Sequence, residues 1–183
     1  MVNIYKQELT NLQQEILRLL YVKIGKSLNQ REISKILNVS QPAVIKALPK
    51  LEEKNLIILG QDKESKRWSI KLNRDNYKVM QLKRVENLRQ IYESGLADFL
   101  EKEFAGSVII LFGSYARAED MLNSDIDVAI IGSKEKITDL EEFEKILERK
   151  IYLNFYPSFK EIHKNLKENI FNGIVLAGGI KLD

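Results

Sequence analysis

The stretch SVIILFGSYARAEDMLNSDIDVAIIG, residues 107–132, decides how the second half of this 183-residue chain folds. Val108, Ile109, Ile110, Leu111 and Phe112 form a continuous apolar run of strand length, the pattern of a strand buried on both faces. The run stops at Gly113, which has no side chain and so lets backbone and ligand approach closely. Residues 114–119 are good helix formers. Free N–H groups at a helix start, with the Ser114 hydroxyl beside them, favour a phosphate.

Ten residues separate Ser114 from Asp125, and Asp125-Ile126-Asp127 opens a second apolar run, Val128 to Ile131. Side chains alternate along a strand, so both carboxylates project from one face, roughly 6.5 Å apart along the backbone. Two carboxylates so placed suit one or two magnesium ions, and phosphoryl-transfer sites hold metal pairs about 3.5–4 Å apart. Acidic residues are poor strand formers, so two of them beside a buried run call for a reason. The whole arrangement suits a metal-bound triphosphate.

Read as G-S-x-x-R followed by S-D-x-D, the segment resembles the signature of the polymerase β nucleotidyltransferase superfamily, in particular its small archaeal and bacterial members. The resemblance spans roughly residues 96–183. It implies that Gly113 and Ser114 bind the nucleotide and that Asp125 and Asp127 bind Mg²⁺ and are catalytic, with ATP or another nucleoside triphosphate as substrate. Arg117 matches the motif arginine. Ser124 matches the serine before the first aspartate, where a turn role and a binding role weigh equally. Ala118 stands where the family commonly has glycine, a mild change if the position is helical.

The family also carries a third carboxylate on a later strand. The matching strand here is residues 150–156, after a helical pattern over 139–149. If Ile151, Leu153 and Phe155 face the core, Tyr152, Asn154 and Tyr156 face the other way, and none is acidic. Asn154 is the positional candidate, able to offer a neutral oxygen but no base. Glu144 and Glu148 are substitutes on the preceding helix. Loss of a general base costs about 10²–10⁴ in rate, so weak turnover and nucleotide binding without turnover both stay open.

Composition bounds the remainder. The chain is long enough for two small domains. It has no cysteine and one histidine, His163, which excludes disulfides, thiolate zinc sites and His-based triads. No apolar run approaches the ~20 residues of a membrane span and the amino terminus lacks a secretory pattern, so the expectation is a cytoplasmic protein with no membrane partner. Residues 1–80 carry 15 basic against 8 acidic side chains, a balance of +7, while residues 81–183 carry 14 against 18, a balance of −4. A polyanion is expected at the amino-terminal part.

That part has its own pattern. Leu9, Leu12, Ile16, Leu19 and Leu20 recur at helical spacing, ending near Gly25. Asn29 with Glu32 forms a capping box for a second helix with Ile33, Ile36 and Leu37 as its buried stripe. Ser40 caps a third helix, with Pro42 in its first turn and Val44, Leu48 and Leu51 as its apolar face. Residues 56–59 and 68–72 pair as a β-hairpin with a basic tip, and Trp68 is assigned to the core. Pro49 should kink or shorten the third helix.

Three helices and a hairpin resemble a winged helix-turn-helix of archaeal and bacterial transcription regulators. The resemblance places the third helix in the major groove of double-stranded DNA and the wing on phosphate. Gln41 is then the base reader, Lys46 and Lys50 contact phosphate or guanine, and Lys63, Lys66 and Arg67 are the wing contacts.

The expected organisation is a mainly α winged helix-turn-helix over residues 1–74, a connecting helix over 75–94 and an α/β (α+β) nucleotidyltransferase domain over 95–183 with a mixed sheet flanked by helices. Val85, Leu88, Tyr92, Phe99 and Leu100 suggest helix interrupted near Gly95. The connecting helix is a candidate seam for a homodimer, or packs on its own domain. Functionally the chain reads as an Mg²⁺-dependent enzyme moving a nucleoside monophosphate, AMP by preference, from a triphosphate to a hydroxyl acceptor, with a partner protein as one candidate acceptor. The alternative is a DNA-binding regulator whose second domain is a nucleotide sensor or dimerisation scaffold.

Overall fold

The computed structural model describes residues 8–61 and 68–180. Two compact units divide the chain, Met1–Met80 and Gln81–Asp183, with the division inside helix α4, Tyr77–Glu93.

In the first unit the helices begin where the sequence supplies caps. Helix α1 (Asn11–Val22) starts at Thr10, whose hydroxyl accepts from Gln13 N while the Gln13 side chain accepts from Thr10 N. Helix α2 (Gln30–Ile36) opens on the Asn29 and Glu32 box: Asn29 N donates to Glu32 Oε2 at 2.7 Å, and Glu32 N to Asn29 Oδ1 at 3.0 Å. Each such pair satisfies two backbone donors that a helix end leaves without partners. Helix α3 (Gln41–Glu53) starts at Ser40, whose hydroxyl accepts from Ala43 N.

Strands β1 (Ile57–Gln61) and β2 (Trp68–Leu72) pair antiparallel, Ile57 opposite Leu72 and Gln61 opposite Trp68, and Leu28 bridges to Ile70. Ile16, Leu20, Ile33, Val44, Leu51, Ile57 and Ile70 form the core.

Three expectations need correction here. Helix α3 runs through Pro49 to Glu53 and is not shortened. Pro49 and Ile45, the residue whose carbonyl loses its partner, are both exposed, so the lost bond lies where water can replace it. Ile36 is 51% exposed and outside the core, because Ile33 and Leu37 already fill the covered stripe of this two-turn helix. Trp68 is 43% exposed. It shares strand parity with the buried Ile70 and Leu72 but lies at the outer end of β2, bordering a cleft.

The second unit holds a four-stranded mixed sheet in the order β5-β4-β3-β6. Strand β3 (Val108–Phe112) is central and antiparallel to both β4 (Ile126–Ile131) and β6 (Ile174–Ala177); β4 is parallel to β5 (Ile151–Tyr156). Helices α4, α5 (Leu96–Glu103), α6 (Gly113–Arg117), α7 (Glu141–Leu147) and α8 (Lys164–Phe171) complete it, with a 3₁₀ turn at Phe159–Glu161.

Alternation separates two cores. Ile109, Leu111, Ile126, Val128, Ile130 and Ile151 pack on one face with Leu100 and Leu147; Ile110, Phe112, Ala129 and Ile131 pack on the other with Ile162 and Ile170. This two-sided burial is why both central strands read as unbroken apolar runs.

Candidate functional site

Strand β3 ends at Phe112, directly opposite Asp127 in the antiparallel ladder with β4. Gly113 then turns the chain with φ 77°, a left-handed conformation that residues with a Cβ rarely adopt. A Cβ built there would stand 2.5 Å from Asp127 Oδ2 and 3.3 Å from Cγ. The glycine backbone thus lies flush against the second carboxylate. Ser114 follows, partly exposed, as the second residue of α6.

Asp125 is exposed and immediately precedes β4; Asp127 is partly covered. Burial, and then the Asp125 charge, push the Asp127 carboxyl above its ordinary range. An anion destabilised by both effects gains most from a cation. The donor set is two carboxylates at a turn open to solvent, which fits magnesium, an ion commonly held by one or two carboxylates together with substrate phosphates. Among the described residues no three His, Cys, Asp or Glu side chains converge to hold a metal.

Arg117 Nε donates to Glu119 Oε2 at 2.8 Å, and its Nη1 donates to Asn169 Oδ1 on α8 at 3.1 Å. Ser124 Oγ accepts from Met121 N at 2.8 Å while Ser124 N donates to Met121 O, so the serine closes the turn before Asp125. Ala118 departs from expectation: it is the left-handed cap of α6, at φ 63° and ψ 19°, and is fully buried. Glycine would adopt that conformation without strain, so alanine is no mild replacement.

The parallel register sets Tyr152 beside Asp127 and Asn154 beside Ala129. Asn154 is therefore one strand over, about 4.8 Å, and two residues along, about 6.6 Å, from Asp127. Its Nδ2 lies 3.5 Å from the carbonyls of Val128 and Tyr152. Glu144 is committed elsewhere. Its carboxylate accepts from Ile151 N at 3.1 Å and pairs with Lys150 Nζ at 2.5 Å, which together hold it below the ordinary carboxylate range. Glu148 is the exposed, left-handed cap of α7.

In the first unit, Gln41, Lys46 and Lys50 are all exposed on α3, and the helical spacing sets Lys46 and Lys50 away from Val44, Leu48 and Leu51. Gln41 does not cap the helix; Ser40 does. Lys63, Lys66 and Arg67 lie outside the described residues. A cleft of about 550 Å³ is lined by Arg31 and Lys35 of α2, Gln41 of α3 and Trp68 of β2, among others. Arg31 and Lys35 are not among the candidates read from the sequence, where Trp68 is assigned to the core. Arg31 and Lys35 are one turn apart on α2, the spacing that marks a shared helix face, and this was the signal available.

These geometries agree with two family models. Residues 9–68 match the MarR family, and residues 95–178 match the polymerase beta nucleotidyltransferase family. Each of the two units is thus similar to a different known family.

Similar solved structures include the adhesin competence repressor AdcR from Streptococcus pyogenes, 24% identical over 55% of this chain and 71% of that one, TM-score 0.42. They also include the S. aureus MepR–DNA complex, 26% identical over 54% and 80%, TM-score 0.39. A MepR variant from a multidrug resistant S. aureus clinical isolate is 30% identical over 52% and 68%, TM-score 0.39. With TM-scores below 0.5, these likenesses add nothing to the family models. No curated protein matches the chain.

Proposed function

We propose that the carboxyl-terminal domain binds a magnesium-bound nucleoside triphosphate, ATP by preference, at Gly113, Ser114, Asp125 and Asp127, and transfers its nucleoside monophosphate to a hydroxyl acceptor. The observation that carries this reading is the Gly113 backbone lying against the Asp127 carboxylate. It brings the phosphate-binding turn and the acidic pair, distant in sequence by a whole loop, to one point.

Within that point the chain's own residues divide the work. The Gly113 turn admits a phosphate close to the backbone, and the Ser114 hydroxyl, partly exposed at the second position of α6, would donate to it. Asp125 and Asp127 would hold the metal, which when bound supplies charge neutralisation on the phosphates and the leaving pyrophosphate. Arg117 is anchored by Glu119 and Asn169 and lies partly exposed at the end of α6. Positioning and electrostatics dominate reactions of this kind. Incubation with labelled ATP, Mg²⁺ and candidate partner proteins should give label transfer that Asp125→Ala with Asp127→Ala abolishes.

A second reading is favoured by one observation, the lack of a third converging carboxylate among the described residues. The domain is then a nucleotide sensor or scaffold, and the same assay gives nucleotide binding with no transfer.

The winged helix is the DNA-facing module in either case. Gln41, Lys46 and Lys50 present donors on the exposed face of α3, and double-stranded DNA is the proposed partner, supported by the MarR-family match and the +7 balance of residues 1–80. Leu82, Val85 and Tyr92, exposed on α4, support a homodimer. Light scattering over a concentration series tests it, and an unchanging monomer mass would refute the dimer.

A further inference from the structure

Among the described residues, the largest side chain with no exposed surface is a lysine, Lys83 on α4. It pairs with the carboxylate of Asp120, itself 1% exposed, in the loop between α6 and β4. Lys83 Nζ also donates to Asn87 Oδ1 at 3.3 Å. Asn87, buried one turn on, uses its Nδ2 twice: to Tyr115 O at 2.8 Å and to Asp120 Oδ1 at 2.9 Å. The Tyr115 hydroxyl returns to α4, donating to Asn87 O at 3.4 Å and Gln90 Oε1 at 3.5 Å. Arg149, the buried residue two before β5, brings its Nη2 to 3.8 Å from Asp120 Oδ2.

The placement of this cluster suggests its use. Tyr115 is two residues after Gly113, and Asp120 is five before Asp125. One amide group on α4 therefore brackets the two halves of the nucleotide site from behind. Stability alone does not call for such a set, because buried ion pairs are commonly replaced by packed apolar residues without loss of stability. Directional bonds to one carbonyl and one carboxylate do what apolar packing cannot: they fix where the turn and the loop stand relative to each other.

We propose that Lys83, Asn87 and Asp120 are positioning residues that hold the Gly113–Ser114 turn and the loop leading to Asp125 in the geometry that receives a metal-bound nucleoside triphosphate. The proposal rests on the nucleotide reading given above. None of the three touches the nucleotide; they act through Tyr115 and the loop.

The test uses the full chain, with Mg²⁺ and a non-hydrolysable ATP analogue as the probe. Removing one partner of a buried pair leaves a lone charge inside, so single charge deletions risk unfolding. The informative variants are Asn87→Ala, which removes no charge, and the double variant Lys83→Met with Asp120→Leu, which removes the paired charges while leaving Arg149 beside an apolar residue.

In Asn87→Ala, amide exchange over residues 113–120 should quicken by about tenfold or more while strand β4 keeps its protection, and analogue affinity should fall by about tenfold. The double variant should stay folded, with β4 keeping its exchange protection, and lose analogue affinity by about tenfold, an outcome that a purely structural role would not give. Exchange over 113–120 within about twofold of the parent in Asn87→Ala, or parental affinity in the folded double variant, overturns the proposal. If the parent chain itself binds no analogue, the nucleotide reading fails, and the exchange measurement alone decides whether the network holds the turn.

Discussion

Gly113 and Asp127 stand so close that a single methyl group on the glycine would meet Asp127 Oδ2 at 2.5 Å. The contact is made possible by the Phe112 and Asp127 pairing of β3 with β4, which delivers the turn to the second carboxylate. Gly113→Ala should therefore act twice. The left-handed φ costs the folded state about 1–2 kcal/mol, measurable as a shift in the urea midpoint. The displaced carboxylate should weaken binding of the Mg²⁺-bound ATP analogue by about tenfold or more. Unchanged affinity in a folded variant would separate the turn from the site.

Asp127 has a carboxyl pushed up by burial and by Asp125. A carboxyl whose folded pKa exceeds its unfolded one stabilises the fold only while protonated, so its contribution is present at acid pH and is lost as pH rises through the folded pKa. Without metal, Asp127→Asn should then melt higher than the parent at neutral pH, on the order of a few degrees, and the gap should close below the ordinary carboxylate range. Added Mg²⁺ and nucleotide should reverse the ranking by stabilising only the parent. Thermal melts across pH decide it, and a neutral-pH loss of stability in the variant would contradict the assignment.

Asn154 occupies the strand neighbouring the acidic pair. Asn154→Asp adds a carboxylate there, and if its position suits a base, transfer of label from ATP should rise by about 10²-fold or more. Single-turnover measurement of released pyrophosphate is the readout. No gain would locate the missing function elsewhere, or support the sensor reading.

Lys46 and Lys50 are exposed one turn apart on α3. If both contact phosphate, Lys46→Ala with Lys50→Ala should weaken binding to duplex DNA of any sequence and reduce the slope of log affinity against log salt by about 2. Anisotropy titrations at several salt concentrations measure this. A parental slope removes both lysines from the interface.

Pro49 sits inside a helix that continues for a further turn to Glu53. Its substitution by alanine restores a helical N–H and should raise stability by about 2 kcal/mol, the interior penalty of proline less its entropic benefit in the unfolded chain. Urea denaturation measures it. A destabilised Pro49→Ala would show that the ring packs in a way its exposure does not suggest.

Sequence periodicity located these elements because each obeys a local rule. The caps at Asn29 and Ser40, the alternation of residues 151–156 and the apolar runs around Gly113 and Asp127 are all legible from neighbours a few positions away. Helix α4 was not. Its Val85 and Tyr92 supply an apolar pattern, yet both are exposed, and the covered face carries Lys83, Glu86 and Asn87 instead. A polar residue reads as solvent-facing unless its partner is known, and the partner of Lys83 is 37 positions away.

The sequence alone determined that a Gly-Ser turn and an Asp-x-Asp strand belong to one chain behind a basic, capped three-helix module, because caps, turns and strand periods are properties of short segments. Tertiary structure decided the rest. It set Gly113 against Asp127 through the β3–β4 register, placed Asn154 two residues away from that point, forced Ala118 into a left-handed cap, and buried Lys83 against Asp120. Each of these depends on which distant segments meet, and that is fixed by packing and register over the whole domain.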